Sequence, residues 1–384
     1  MSNSLGFYDP LFYAQEALIS LNKALGLAGR VHRGYDKVPQ QKGSTINISR
    51  PTQFTATDVN TATGGTTTAL APDEVSITLN EWQEVKFALT DKELSFTQEK
   101  IIEDHIAPAA YALADAIDQS LAALIIKFPW HSNFTSTIVV SDILNARKVL
   151  FSNKSPMNDM HFMINGAVEA QLLGLTPFST SSGGAAGIET LMQGSIGTRY
   201  GIEFFANQNT PSHTSGTITD AAGALNAAVA VGDTSFTCKA LTATDAFKAG
   251  DIIKITGDTQ QYVLTSDIAV EAAATTAVFN VYPAIAQASL ADAVVTIVPV
   301  NGSGATKDQN LLFHRHAMAL AMAPLSTIGA NLGARIATVS DPVTNLSLRS
   351  RMWYDGEHST VKVSLDALWG VQILNPNLGV RAAL

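Results

Sequence analysis

Two strand-like segments, separated by a tip that lacks large apolar residues, constrain this chain more than any other feature. "GSTINISRPTQF" and "DEVSITLNEWQEVKFAL" alternate between apolar and polar residues, and "TATDVNTATGGTTTALAP" lies between them. The pattern predicts a long two-stranded arm with a soft tip. Such an arm has no core of its own and is marginal in water, so it predicts a surface to lie on. A neighbouring subunit is the obvious candidate, and an exposed hairpin in a monomer is the alternative.

Helical periodicity is strongest over residues 97–127, where apolar residues recur every three or four positions. "TDKE" and "SFTQ" precede this segment, and both fit the capping box. We expect a helix that continues through a bend at Pro108 and spans about 46 Å at 1.5 Å per residue. A shorter amphipathic helix is predicted over residues 11–30, which would form a helical N-terminal arm.

The remaining chain predicts an α+β region with an all-β insertion. Residues 138–175 mix short strand and helix signals, "PFSTSSGGAAG" is typical of a flexible loop, and a strand is predicted around residues 202–205. Residues 211–306 contain five or six short alternating runs separated by turn residues, which indicates a small β-barrel or sandwich. Mixed patterns resume afterwards, so we interpret this region as inserted at an exposed loop of another domain.

Composition excludes several classes of protein. Hydrophobic residues make up 46% and charged residues only 15%, which indicates surface hidden against partners. The net charge of -9 disfavours a protein that binds by neutralising phosphates. Cys238 has no internal disulfide partner and is expected to be an apolar thiol, which fits an intracellular folding environment. No secretory signal is predicted, and no stretch approaches a membrane span, because Pro108, Asp115 and Asp118 interrupt residues 106–128.

Motifs for catalysis are missing from the sequence. It has no phosphate-binding loop, no nucleophile elbow and no zinc motif, and the glycines of "GSIGTRYG" are expected to be turn residues. Asp115 and Asp118 share a helix face and could form a carboxylate pair, although a solvated face is expected. We predict no catalytic, cofactor-binding or metal-ligating residue and no cofactor.

Only two histidines, His314 and His316, lie close together in the sequence. On a strand they would share a face and could bind a metal, whereas on a helix they would point apart. The following "AMALAMAPL" favours a helix that ends at Pro324, and a third ligand is missing in either case. The pair is therefore expected to mark a junction before a buried helix.

The order of these parts resembles the major coat proteins of tailed bacteriophages, which have the Hong-Kong-ninety-seven-type capsid fold. Within them it resembles the short-tailed Salmonella-phage branch that carries an inserted domain. The resemblance covers nearly the whole chain. Its most specific segments are "INISRPTQF…VSITLNEWQEVKFALTDKEL", "IIEDHIAPAAYALADAIDQSL", "LMQGSIGTRYGIEFFANQNTP", "AGDIIKITG", "NLLFHRHAMALAMAPL" and "STVKVSLDALWGVQILNPNLG".

The resemblance implies an α+β chain of seven segments. These are an N-terminal arm (1–44), an extended hairpin loop (45–90), a spine helix and peripheral domain (91–176), the first part of an axial domain (177–210), an inserted β domain (211–306), the second part of the axial domain (307–340) and a return to the peripheral domain (341–384).

The function that the resemblance implies is self-assembly into the icosahedral shell around the double-stranded DNA genome of a tailed bacteriophage, without catalysis. Expected partners are copies of the chain in hexamers and pentamers, a separate scaffolding protein, a portal protein, a possible decoration protein, and DNA through non-specific contacts only; no membrane is expected. The location would be the virion, after assembly in the cytoplasm of the infected bacterium. Alternatives are an encapsulin-like cage, or an α/β enzyme with a β accessory domain that uses Asp115, Asp118, His314 and His316.

Overall fold

The computed structural model shows two compact units, and each unit combines separate stretches of the chain. The first unit is Met1–Leu25, Arg33–Ile117 and Ala319–Leu374, and the second is Gly26–His32, Asp118–Met318 and Asn375–Leu384. The structure describes residues 10–34, 43–50, 73–90, 105–134, 137–179, 194, 196–219, 222–271, 275–298, 303–327, 333–341 and 346–384.

Helices are few and strands are many among these residues. The α-helices are α1 (Pro10–Ala24), α2 (Ala107–Ala122), α3 (Val140–Ser152), α4 (Gly166–Gly174) and α5 (Thr176–Ser179), and single 3-10 turns lie at Ile125–Lys127, Arg315–Ala317 and Pro376–Leu378. The strands are β1 (Thr45–Arg50), β2 (Asp73–Thr78), β3 (Glu81–Thr90), β4 (His131–Asn133), β5 (Met160–Ile164), β6 (Thr198–Arg199), β7 (Ile202–Ala206), β8 (Ser212–Thr214), β9 (Ala222–Leu225), β10 (Ser235–Lys239), β11 (Ala246–Phe247), β12 (Ile252–Ile255), β13 (Gln261–Leu264), β14 (Ile268–Ala269), β15 (Ala277–Tyr282), β16 (Val294–Val298), β17 (Thr306–His314), β18 (Met318–Ala323), β19 (Arg335–Asp341), β20 (Leu346–Asp355), β21 (Thr360–Ile373) and β22 (Gly379–Ala383).

The first unit contains a two-stranded sheet and a five-stranded sheet. β1 pairs antiparallel with β2, and the larger sheet has the order β18-β21-β20-β19 with β3 also paired to β21. The predicted strand from residue 73 to residue 89 is therefore divided, because the N–H of Asn80 donates to the carbonyl of Thr78 and turns the chain before β3. The predicted tip, residues 55–72, and the end of the first predicted strand, residues 51–54, lie outside the described residues.

β2 approaches β21 closely at Gly370. A Cβ atom at Gly370 would lie 2.3 Å from the carbonyl oxygen of Thr78, so a side chain could not be accommodated there. The apolar residues of β2 pack into a core with β18 and the end of β21. The buried members of this core are Val75, Ile77, Leu79, Ala319, Ala321, Ala323, Leu368 and Leu374.

The second unit contains a seven-stranded sheet and a closed barrel. The sheet has the order β4-β22-β17-β5-β7-β6, with β8 paired to β17, and α3 and α4 supply residues to its core. The barrel has the order β10-β15-β13-β12-β16-β9 and lies in the chain between β8 and β17. The all-β unit predicted from the sequence is thus a closed six-stranded barrel, and it buries a core of its own that includes Phe236, Phe247 and Phe279.

The helix predicted after His316 is wrong. Residues 318–323 form β18, and all six residues are buried. A strand that is covered on both faces loses the alternation that distinguishes strands in sequence, so "MALAMA" shows only its helix-forming composition. His314 and His316 therefore lie where one strand ends and another begins.

The helix predicted over residues 97–127 is described only from residue 105 onward, because residues 91–104 lie outside the described region. A π-helical turn at residues 105–106 leads into α2, so Pro108 lies within helical structure, and α2 ends at Ala122, before the predicted end at residue 127. The expectation that no segment approaches a membrane span is also wrong. Residues 107–127 are long and apolar enough by length and composition, but 56% of their most apolar window is buried inside the fold, as in the core helix of a globular protein.

Candidate functional site

Asp118, one of the two candidate carboxylates, is buried and holds backbone. Its Oδ2 accepts the N–H groups of Gly26 (2.9 Å) and Leu27 (3.0 Å), and its Oδ1 accepts that of Ala28 (2.9 Å). Burial raises the pKa of this carboxyl, and the three backbone donors offset part of that rise. The expected solvated face is therefore wrong for Asp118, whereas Asp115 is half-buried.

His314 and His316 are brought together by a turn. β17 ends at His314, and the backbone N–H of His316 donates to His314 Nδ1 at 3.2 Å. The two ring centroids are 5.3 Å apart. His32 extends the pair, because its ring centroid lies 4.8 Å from that of His316 and its backbone N–H donates to the carbonyl of Met318 at 3.2 Å.

Sequence reasoning missed His32, since no local pattern connects the segment after α1 with the turn after β17. Within the described ranges, no group of three or more His, Cys, Asp or Glu side chains is arranged to hold a metal ion.

A second polar cluster surrounds Glu203 on β7. The Arg30 Nη2 atom lies 2.6 Å from Glu203 Oε1, and the Arg30 guanidinium lies 4.2 Å from the centroid of the Phe205 ring. His161 Nδ1 lies 2.9 Å from Glu203 Oε2. Burial would raise the pKa of Glu203, but Arg30 and His161 together hold it below its usual value. The cluster thus fixes Arg30, and with it the segment that carries His32.

Cys238 lies inside the barrel. Burial raises the pKa of its thiol to about 11, so it stays protonated at neutral pH and is a poor nucleophile. A Cβ atom on Gly223 of β9 would lie 2.5 Å from the Cys238 sulfur, so the glycine is needed for the close packing of β9 and β10.

The five-stranded sheet holds a buried ion pair. Arg349 Nε and Nη2 donate to Asp366 Oδ1 (3.0 Å) and Oδ2 (2.5 Å), and Arg349 Nη1 donates to the carbonyl of Ser326 (2.8 Å). Trp82 Nε1 also donates to Asp366 Oδ2, at 3.0 Å. Both charges are therefore satisfied in the fork geometry that strengthens Arg–carboxylate pairs.

Arg381 lies where the barrel meets the seven-stranded sheet. It is fully buried, its Nη2 donates to the carbonyl of Gly250 at 2.8 Å, and its Nε and Nη1 have no hydrogen-bond partner in the part of the chain that the structure describes. Burial lowers the pKa of Arg381 to about 9, and the charge of Asp251 opposes this shift. The guanidinium therefore remains charged at neutral pH.

The neighbours of Arg381 are themselves buried and polar. Asp251 accepts from His213 Nε2 (3.3 Å) and from the backbone N–H groups of Gly216 and Lys248, each at 2.9 Å. His131 is the register partner of Arg381 across β4 and β22. Burial, followed by the charge of Arg381, lowers the pKa of His131 to about 4, so its ring is neutral at pH 7.

Comparison with known proteins identifies the fold. No family model and no curated protein match the sequence. A solved structure from Mycobacterium phage Che8 is 12% identical, covers 93% of this chain and 90% of its own, and has a TM-score of 0.50. The structure titled as the asymmetric unit of the bacteriophage PhiM1 mature capsid is also 12% identical, covers 93% of this chain and 86% of its own, and has a TM-score of 0.49.

The likeness to the Che8 structure extends over nearly the whole of both chains and shows the class of fold. It is a mixed α+β architecture with few helices and many strands. The chain has the Hong-Kong-ninety-seven-type fold of tailed-phage capsid proteins.

Proposed function

We propose that this chain is the major capsid protein of a tailed bacteriophage and that its copies assemble into an icosahedral shell around double-stranded DNA. The observation that carries this proposal is the fold, shared along 93% of the chain with a solved phage structure. The net charge of -9 agrees with a container in which DNA must slide instead of adhering.

The polar groups of the described residues support a structural role without catalysis. Asp118 is occupied by three backbone donors, His314 by the N–H of His316, and Asp366 by Arg349 and Trp82. Cys238 is buried with a raised pKa. Asp118 and Asp366 each connect two segments of the chain, and His314 caps the turn after β17. Such contacts stabilise a subunit that is held by neighbouring subunits on several sides.

We assign the segments as the family implies. Residues 1–44 form an N-terminal arm and residues 45–90 an extended loop across a neighbouring subunit; residues 91–176 and 341–384 form a peripheral domain, residues 177–210 and 307–340 an axial domain, and residues 211–306 an inserted domain. The closed barrel supports the last assignment and, with it, membership of the short-tailed Salmonella-phage branch.

The β1–β2 pair supports the assignment of the extended loop. Its strands are antiparallel in full register from Thr45 opposite Thr78 to Arg50 opposite Asp73, so the chain leaves and returns at one end of a ribbon. One face of β2 is buried in the core of the first unit, which gives the ribbon a fixed base. A ribbon with a fixed base can carry a loop to a neighbour.

The partners follow from the same proposal. Copies of the chain form hexamers and pentamers in the cytoplasm of the infected bacterium with the help of a separate scaffolding protein; a portal protein occupies one vertex, and decoration proteins can bind outside. If each contact between copies buries about 1,600 Å², many modest contacts add up to a very stable shell.

Deletion of residues 57–70 tests the proposal. We expect the variant to melt cooperatively at the wild-type temperature but to form no shells, as seen by negative-stain electron microscopy and sedimentation with a scaffolding partner or crowding agent present. A second variant, in which Gly and Ser replace residues 57–70, is the matched control because it keeps the length of the segment. It should also fail to assemble if the side chains of the segment contact the neighbouring subunit. Wild-type protein that remains a compact monomer under all these conditions would refute the capsid function.

A further inference from the structure

Four histidines from three separate parts of the chain come together in the second unit. The ring centroids of His32 and His316 are 4.8 Å apart, and those of His316 and His314 are 5.3 Å apart. His161 on β5 is the register partner of Phe313, the residue before His314. We call these four residues the histidine stack. A proton on His32, His314 or His316 places its charge against a neighbouring ring, where partial burial reduces screening, and His161 acts on His314 through its charge.

His314 must be neutral in this arrangement. Its Nδ1 accepts the backbone N–H of His316 at 3.2 Å and so caps the 3-10 turn of residues 315–317. A protonated imidazole carries hydrogen on both nitrogens and can only donate. Protonation of His314 therefore removes the cap and turns an attractive contact into a repulsive one.

The fixed charges around the histidine stack already balance. They come from the segment before β1, the turn after β17, the residue before β5 and β7, and they are Arg30, Arg315, Asp159 and Glu203. Two positive charges thus face two negative charges, and Glu203 is already paired with Arg30 and His161. The charges of these four groups sum to zero, so each proton that the stack takes up leaves the site with a net positive charge.

The electrostatic environment also favours the neutral form of the histidines. Burial lowers the pKa of His32, His161 and His314, and for His32 and His314 the next cause is the charge of His316. A histidine whose pKa in the folded state lies below its ordinary value of about 6.5 stabilises the fold in its neutral form. This contribution to the free energy of unfolding is fully present above about pH 6.5 and is lost as the pH falls through the folded-state values.

The structure that depends on the stack is the segment of residues 26–34. Leu27, Ala28 and Val31 are buried, and the N–H of His32 donates to the carbonyl of Met318. Asp118 binds the backbone at the other end of the segment. Its pKa is raised, so its protonation on acidification favours the folded state, which is the opposite of the effect expected from the histidines. Loosening by acid can therefore come from the histidines but not from Asp118.

We propose that the histidine stack is a pH-operated lock: its neutral form fixes residues 26–34, the segment that follows the N-terminal helix, against the turn after β17, and its protonation releases them. The lock is a property of the folded subunit and goes beyond the proposed function, so it can hold or fail whether or not the chain forms a shell. Below about pH 6.5 the lock opens while the rest of the unit stays folded.

Hydrogen exchange of the full-length protein, corrected for the intrinsic rate at each pH, tests the proposal. Between pH 7.5 and pH 5.5 we expect the protection of residues 29–34 to fall about tenfold or more, because three histidines with lowered pKa take up protons more readily when the segment is open. Protection of residues 235–239 in β10, whose pairing strands are β9 and β15 of the barrel, should change by less than about twofold in the same samples.

Two variants separate the lock from general acid sensitivity. His314→Asn keeps an oxygen that can accept the His316 N–H but does not titrate, and we expect it to reduce the fall in protection to about threefold or less. His32→Phe keeps a ring in the stack and serves if His314→Asn does not fold. His358→Asn, at an exposed histidine of the β20–β21 turn, is the matched control and should behave as wild type. Equal protection at the two pH values in the wild type, or an equal fall in wild type, His314→Asn and His32→Phe, would overturn the proposal.

Discussion

Arg349 and Arg381 are two buried arginines that differ in how fully their side chains are hydrogen-bonded. Arg349 in the five-stranded sheet donates from Nε and both terminal nitrogens, and the negative charge of Asp366 lies against it. Arg381, between the barrel and the seven-stranded sheet, makes one side-chain hydrogen bond within the described residues, to the carbonyl of Gly250. The difference is geometric, because Asp366 lies in direct register with Arg349 on the adjacent strand, whereas Asp251 influences Arg381 only through its charge.

The comparison teaches that burial of a charge is not by itself stabilising. A buried pair whose partners are satisfied is costly to break, since the charge left behind keeps its desolvation penalty. A buried charge with unsatisfied donors already bears part of that penalty in the native protein. We therefore expect Arg349 to stabilise the fold. Arg381 is expected to add little stability and instead to favour one position of the barrel on the seven-stranded sheet.

The largest expected effect is at the satisfied pair. Arg349→Met leaves Asp366 buried with the Trp82 indole at 3.0 Å and Arg351 Nη2 only at 3.6 Å, and we expect the free energy of unfolding to fall by about 3–5 kcal/mol. Urea unfolding at pH 7 measures this change. Lys86→Met is the matched control in the same sheet: Lys86 contacts Glu84, both side chains are exposed, and a loss of about 0–1 kcal/mol is expected. Equal losses in the two variants would contradict the role given to Asp366.

An intermediate effect is expected at Asp251, whose charge faces Arg381. Asp251→Asn keeps the shape but removes the charge that faces Arg381 and introduces an amide where backbone donors point. We expect a loss of about 1.5–3 kcal/mol, the range for hydrogen bonds to charged groups. Chemical denaturation followed by hydrogen exchange of the barrel peptides would show where the loss falls; a loss confined to the first unit would be inconsistent with this explanation.

The smallest effect on stability is expected at Arg381. Arg381→Met removes a poorly satisfied charge and one hydrogen bond, so the free energy of unfolding should stay within about 1 kcal/mol of wild type. The same variant should raise the pKa of His131 from about 4 towards its ordinary value, because the charge of Arg381 is one cause of the depression. Imidazole NMR titration measures the shift. A loss as large as that of Arg349→Met would show that Arg381 is satisfied in solution.

The comparison also shows what a sequence can reveal about polar groups. "SLRSRMWYDGEHSTVKVSLDALW" contains Arg349 and Asp366, but only the antiparallel register of β20 and β21 places them opposite each other. Asp118 looked like part of a solvated helix face, because periodicity shows which residues share a face and not what packs on that face. His314 and His316 were visible as neighbours, whereas His32 had no signal at all.

Local sequence patterns determined the parts of this protein: the alternating strands of the barrel, the strands β1 and β2, the mixed α+β region and the apolar helix α2. They succeeded because alternation and helical periodicity arise from contacts between near neighbours. Tertiary structure alone decided that "MALAMA" is a strand, that β3 joins β21, that Arg381 is buried without a carboxylate, and that His32 meets His316. Each of these depends on which distant segment covers a given face, and a buried polar group takes its energy and its pKa from that segment and not from its own neighbours in the chain.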